Sequence, residues 1–153
     1  MQNHKGGTLR NGRISLQGQI YLLTSVTHNR LPVFNDFYIG RRLVNELFQE
    51  NLGINTLCYV VMPDHLHWLL QLNGDLSLSQ VMQRVKSKSG FYIKKHLNVK
   101  GPIWQSGFHD RALRKDEDVR SVARYVIANP LRAGLVDKIE NYSLWDACWL
   151  ESL

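Results

Sequence analysis

The side chains best suited to chemistry fall into three sets. The first is His65-Leu66-His67. In a strand alternate residues share a face, so His65, His67, Leu69 and Gln71 lie on one side and Leu66, Trp68, Leu70 and Leu72 on the other. Two imidazoles on the less apolar side can present ring nitrogens to one divalent cation. The same pattern also fits two half-exposed histidines with no ligand. Asp64 beside them reads as a turn residue or as an orienter of the neighbouring ring. The second set is Tyr125 with Asn129. At about 100° per residue, Val119, Val122, Ala123, Val126 and Ile127 form an apolar stripe. Tyr125 falls off that stripe, and Asn129, four residues on, shares its flank. A phenol away from the core beside an amide oxygen suits a nucleophile next to a metal ligand. It equally suits a tyrosine at a core margin and an asparagine ending a helix before Pro130. The third set is basic. Arg84, Lys86, Lys88, Lys94 and Lys95 lie on or near one helix, Arg10 and Arg13 on an N-terminal arm, and Arg111, Arg114 and Lys115 after a late strand. Such charges suit phosphates, and interleaved aromatics such as Trp104 and Phe108 suit unpaired bases; solvated helix faces and buried core give the same pattern.

The elements that must position these residues follow from periodicity and punctuation. Tyr21–Thr27 reads as a strand. Asp36 caps a helix running to about Glu50, with Ile39, Leu43, Leu47 and Phe48 inward. Asn55–Met62 and His65–Leu72 form a hairpin across Pro63-Asp64. A helix from Ser77 to Leu97 follows, with Leu78, Val81, Met82, Val85, Ser89 and Tyr92 at helical spacing. Gly101-Pro102 breaks the chain, and Ile103–Leu113 is expected as a fourth strand interrupted by Gly107. Asp116–Asn129 is expected as a third helix, and residues 143–153 as a tail that packs. The order predicts an α+β fold: a ferredoxin-like antiparallel sheet, β-α-β-β-α-β, with an added C-terminal helix. Such a fold hosts many functions and decides none.

The 153 residues suit a single domain, 1–153, with residues 1–13 as a flexible basic arm. Nineteen Lys and Arg against thirteen Asp and Glu give a net charge of +6, which tolerates a polyanionic partner. Two cysteines, Cys58 and Cys148, make no disulfide framework, and Cys58 in an apolar strand reads as core. There is no Gly-x-Ser-x-Gly, Cys-x-x-Cys or phosphate-cradling glycine loop. The longest apolar run is too short to span a membrane and the N-terminus lacks the apolar core of a signal peptide, so a cytoplasmic protein is expected.

Four segments carry a resemblance over nearly the whole chain: Gly12-Arg13-Ile14-Ser15; Tyr59-Val60-Val61-Met62-Pro63-Asp64-His65-Leu66-His67; Trp104-Gln105-Ser106-Gly107-Phe108-His109-Asp110-Arg111; and Tyr125-Val126-Ile127-Ala128-Asn129-Pro130-Leu131-Arg132-Ala133-Gly134-Leu135-Val136. Together they resemble the REP-associated tyrosine transposases, of the single-tyrosine HUH endonucleases. The resemblance implies that His65 and His67 bind Mg²⁺ or Mn²⁺, that Tyr125 is the nucleophile, and that Asn129 takes the place of a third polar ligand. It implies a substrate of single-stranded DNA carrying a small hairpin, with Gly12, Arg13 and Ser15 on the arm that helps recognise a guide tetranucleotide. Arg10, Arg84, Lys86, Lys88 and Arg111 are further expected phosphate contacts, and His28 and His109 are expected near the site. The implied reaction is attack by the Tyr125 oxygen on a phosphodiester, giving a 5′-phosphotyrosine and a free 3′-hydroxyl. A monomer is favoured over a homodimer. Two other readings compete: a hairpin-binding module that does not cut, and an RNA-binding ferredoxin-like domain, which would expose aromatics on its two central strands.

Overall fold

The computed structural model describes residue 16 and residues 18–149 of the chain. The expected arm, with Arg10, Gly12, Arg13 and Ser15, lies outside the described residues, as do residues 150–153 of the expected tail. The strands are β1 (Ile20–Val26), β2 (Ile54–Met62), β3 (His65–Leu72), β4 (His109–Ala112) and β5 (Trp145–Ala147). The helices are α1 (Phe37–Leu47), α2 (Leu78–Leu97), α3 (Val119–Ile127) and the single turn α4 (Asn129–Arg132). The strands form one antiparallel sheet in the order β4-β1-β3-β2-β5. The predicted α+β sheet with its late helix is therefore present, with one strand added at an edge.

Helix starts lie where side-chain oxygens can take the free amides of the first turn. Asp36 accepts from the amides of Tyr38 and Ile39. Ser77 and Gln80 form a reciprocal capping box. Asp118 accepts from Arg120, so α3 begins later than the expected Asp116.

The sheet carries two different faces. Tyr21, Leu23, Tyr59, Val61, Leu66, Trp68, Leu70 and Leu72 are buried under α1 and α2. On the other face Cys58, Val60, Met62 and Leu69 pack against Ala123, Val126 and Ile127 of α3. Burial pushes the Cys58 thiol up to about 12, in keeping with an inert core residue. The aromatics of the two central strands, Tyr21 and Trp68, are buried, which removes the surface an RNA-binding sheet of this kind needs.

Two expected elements are corrected. The fourth strand is confined to His109–Ala112. Residues 103–108 form a loop tied to the sheet by one bridge, Thr27 with Trp104. Ile103 and Trp104 are neighbours in sequence and both are buried, which breaks strand alternation. Trp104 Nε1 donates to Ser89 Oγ at 3.0 Å, so the loop packs onto α2 instead of extending the sheet. Phe108 is buried as well and offers no platform for a base. The expected tail contains β5, which pairs with β2 through Val60–Trp145, Tyr59–Asp146 and Cys58–Ala147. Tyr142 Oη donates to the Val61 carbonyl at 2.6 Å, and its burial pushes the phenol up to about 12. Gly40 of α1 makes room for Leu144 just before β5: a Cβ there would collide with Leu144 Cδ1.

Candidate metal and nucleophile site

β3 places His65 and His67 on the α3 side of the sheet, as the alternation predicts. Each ring is fixed from behind at Nδ1. His65 Nδ1 lies 2.7 Å from Asp64 Oδ1, and Arg30 Nη1 lies 3.0 Å from Asp64 Oδ2. Burial acts to raise the Asp64 pKa, but hydrogen bonds from His65 and Arg30 outweigh it and hold the carboxyl below its usual range. The ionised carboxylate makes His65 Nδ1 the donor, so that in the neutral ring Nε2 carries the lone pair. His67 Nδ1 lies 3.1 Å from Thr24 Oγ1, across the β1–β3 ladder. Its pKa is lowered to about 4 by burial first, then by the charges of His65 and Arg132, so the ring is neutral at physiological pH.

The two Nε2 atoms are 3.1 Å apart. Either a proton or a cation must lie between them, since two lone pairs at that distance repel. With Thr24 donating to His67 Nδ1, His67 Nε2–H donates to His65 Nε2 and the network closes. With Thr24 accepting instead, both Nε2 atoms are free for a cation. A divalent ion about 2.1 Å from two ligands at a right angle separates them by about 3.0 Å, so the pair fits adjacent positions of one coordination sphere. Among the described residues no group of three His, Cys, Asp or Glu side chains assembles around a common point. A cation on this pair would complete its sphere with amide, phosphate or water oxygens.

Tyr125 is 67 % exposed on the outer flank of α3. Asn129 opens α4, half-buried, and its Nδ2 donates to the Val126 carbonyl at 2.6 Å. That bond closes the last turn of α3 and leaves the amide oxygen as the atom available to a ligand. Arg132, seven residues after Tyr125 and so nearly in phase with it, lies with Cζ 3.8 Å from the Tyr125 ring centroid. Arg30, Thr24 and Arg132 had not been singled out as site residues. The signal for Arg132 was its spacing from Tyr125; that for Thr24 appears only in the strand register.

The basic residues divide. Lys86 Nζ donates to the carbonyls of Gln105, at 2.9 Å, and Gly107. These bonds tie the 103–108 loop to α2 and occupy the ammonium that a phosphate would need; half-buried there, the group has its pKa lowered to about 8 by desolvation. Arg111 shares the histidine face but holds Glu117 with Nη1 at 2.7 and 3.0 Å. Arg84 and Lys88 are exposed on α2, behind the sheet from the histidines. His109 pairs across β1 with Thr24 and stands exposed in the same row as His67, whereas His28 is exposed in the turn after β1.

Comparison with known proteins agrees with this geometry. A Haemophilus influenzae protein carried under the name REP-associated tyrosine transposase is 26% identical over 137 residues, covering 82% of this chain and 78% of that protein. The REP-associated tyrosine transposase of Escherichia coli is 28% identical over 85 residues, covering 55% of this chain and 48% of its own. The solved structure of a REP-associated tyrosine transposase bound to a REP hairpin superposes with a TM-score of 0.72 at 21% identity, covering 95% of this chain and 82% of that one, and establishes the shared fold. The resemblance read from the four sequence segments is upheld. The model of the IS200-like transposases matches residues 15–129, and the chain belongs to that family.

Proposed function

We propose that the protein is a metal-dependent single-strand DNA endonuclease and strand transferase that acts beside REP-like hairpins through a phosphotyrosine. The observation that carries this reading is the convergence of His65 Nε2 and His67 Nε2 at 3.1 Å, with each ring fixed at Nδ1, on the face covered by the tyrosine helix. Mg²⁺ or Mn²⁺ would be held by His65 and His67, with the Asn129 amide oxygen as the candidate third protein ligand. When bound, the ion would draw charge from a non-bridging oxygen of the scissile phosphate.

The chain supplies the rest. Asp64 holds the His65 imidazole with Nδ1 as donor, and Thr24 holds the orientation of the His67 ring, accepting from its Nδ1 when a cation is bound. Exposure of Tyr125 lets a strand of DNA reach its oxygen without opening the core. That oxygen attacks phosphorus, the Tyr125 Oη–P bond forms, and the P–O3′ bond breaks. The phenolic proton is lost and the leaving 3′-oxygen is protonated from solvent. The free energy of the phosphodiester stays in the 5′-phosphotyrosine, so another 3′-hydroxyl can reverse the step and join a new strand. Hairpin DNA is the proposed partner because the relative of solved structure binds a REP hairpin. Arg10, Gly12, Arg13 and Ser15 are its proposed contacts on the arm. Arg84 and Lys88 serve only if the DNA passes round a sheet edge to the α2 side.

The test is a covalent-adduct gel. Labelled single-stranded hairpin DNA is incubated with the protein, with Mn²⁺ or with chelator, beside Tyr125→Phe. A metal-dependent, denaturant-resistant adduct that Tyr125→Phe abolishes is expected. An adduct surviving in Tyr125→Phe would remove Tyr125 as the nucleophile. A native-gel shift without any adduct would make the protein a hairpin-binding module that does not cut.

A further inference from the structure

We propose that Arg132 is a phosphate-binding residue of the reaction site, held over the Tyr125 ring to receive the phosphodiester that the tyrosine attacks. The proposal rests on Tyr125 being the nucleophile.

Its placement is built by the chain. α3 ends at Ala128, and α4 begins at once with Asn129 and the buried Pro130, whose ring fits the first turn of a helix. The Asn129 side chain bonds back to Val126, and the Arg132 amide bonds to the Ala128 carbonyl at 3.0 Å. Leu135 returns to the Pro130 carbonyl at 2.9 Å, and Gly134 takes the left-handed conformation that ends the turn, at φ +73°. Arg132 is thereby fixed two helical turns beyond Tyr125 and on its side.

Two observations then point to an anion. The guanidinium carbon lies 3.8 Å from the Tyr125 ring centroid, in face contact, which leaves the N–H donors at its rim for another partner. Among the described residues Arg132 has no carboxylate partner, whereas Arg30 and Arg111, also on the approach to the site, are each paired with one. A guanidinium stacked on the phenol ring, with no carboxylate on its fork among the described residues, has the chemistry of a phosphate clamp. No proton passes through Arg132. Its charge balances the phosphoryl group as the Oη–P bond forms and the P–O3′ bond breaks, and then balances the phosphotyrosine.

The test uses the described full chain with Arg132→Ala and Arg132→Lys. Single-turnover adduct formation on hairpin single-stranded DNA is expected to slow about 100-fold in Arg132→Ala, well beyond the fall in hairpin affinity that the lost phosphate contact brings, with part of the rate recovered in Arg132→Lys or by added guanidinium. A second measurement needs no cleavage. In the Tyr125→Phe background, a set of hairpin oligonucleotides is made, each with one linkage neutralised as a methylphosphonate. One linkage is expected to matter for binding when Arg132 is present and not when it is alanine, and adducts of the wild-type protein are expected at that linkage. Equal sensitivity of both proteins at every linkage would overturn the proposal. So would a loss of rate in Arg132→Ala that matches a loss of hairpin affinity. If the linkage effect appears but no adduct forms with wild-type protein, Arg132 stands as a phosphate contact and the nucleophile reading alone falls.

Discussion

Replacing Asp64 with alanine should weaken divalent-metal binding sharply while barely touching the fold. The carboxylate holds His65 Nδ1 at 2.7 Å on one oxygen and Arg30 at 3.0 Å on the other. Without it the His65 ring can rotate and take either tautomer, and Nε2 no longer faces His67 as a fixed lone pair. Loss of such an outer partner lowers metal affinity about 10- to 100-fold, or about 1.4–2.7 kcal/mol. The cost to stability is smaller. Arg30 is 63 % exposed, so its pair with Asp64 contributes at most about 1 kcal/mol. The turn itself is held by Thr27, whose amide and hydroxyl both donate to the Asp64 backbone carbonyl, which alanine retains. Titration calorimetry with Mn²⁺ near neutral pH, beside urea unfolding of the same samples, measures both quantities. Asp64→Asn should fall between alanine and wild type, because its amide oxygen still accepts from Nδ1. If Asp64→Ala binds Mn²⁺ as tightly as wild type while His65→Ala does not bind it, the argument from ring orientation is wrong.

Tyr125→Phe should leave urea stability within about 0.5 kcal/mol, because the ring is 67 % exposed, while removing the covalent adduct. The metal-free protein should lose stability as pH falls. His67 has a folded pKa of about 4 against an ordinary 6.5, so the unfolded chain takes up a proton first, and up to about 3 kcal/mol disappears between pH 6.5 and 4. Urea unfolding across that range in chelator should show the slope, and His67→Gln should flatten it. Lys86→Ala should cost about 0.5–1.5 kcal/mol and speed amide exchange in residues 103–108, because the Gln105 and Gly107 carbonyls lose their donor; the salt dependence of DNA binding should not change. Gly40→Ala should cost about 1–3 kcal/mol by thermal unfolding, since the new methyl meets Leu144.

The parts of the fold read most directly from sequence were those whose signal is local. Alternation through His65–Leu72 put both histidines on one face, and Asp36 and Ser77 marked helix starts that the structure uses as caps. What was missed depends on pairing between distant segments. Three residues, Trp145–Ala147, are too few to show a period, and they become a strand only because β2 offers them an edge. The 103–108 loop carries strand-like residues, but Ser89 and Lys86 on α2 bind it elsewhere. In the site, Tyr125, Asn129 and the histidines stood out by residue type. Thr24 did not, because nothing in Ile20–Val26 reveals that residue 24 lies opposite His67 until the register is known. Lys86 was indistinguishable from Arg84 and Lys88 in sequence, although Lys86 turns toward the Gln105 and Gly107 carbonyls.

The pairing of β5 with β2 bears on how the protein is made. β2 has buried side chains from Cys58 through Met62, and without β5 its outer row of amides and carbonyls is bare. An uncovered apolar edge of this kind invites pairing with other chains. β5 is the last strand of the described chain, so a nascent protein carries its histidine pair long before it can close that edge. At about 5–20 residues per second, the interval between synthesis of β2 and of β5 is several seconds, within which the edge is open to a chaperone or to another copy. Fragments ending before Trp145 should therefore be recovered as aggregates or degradation products, although they carry both histidines and Tyr125.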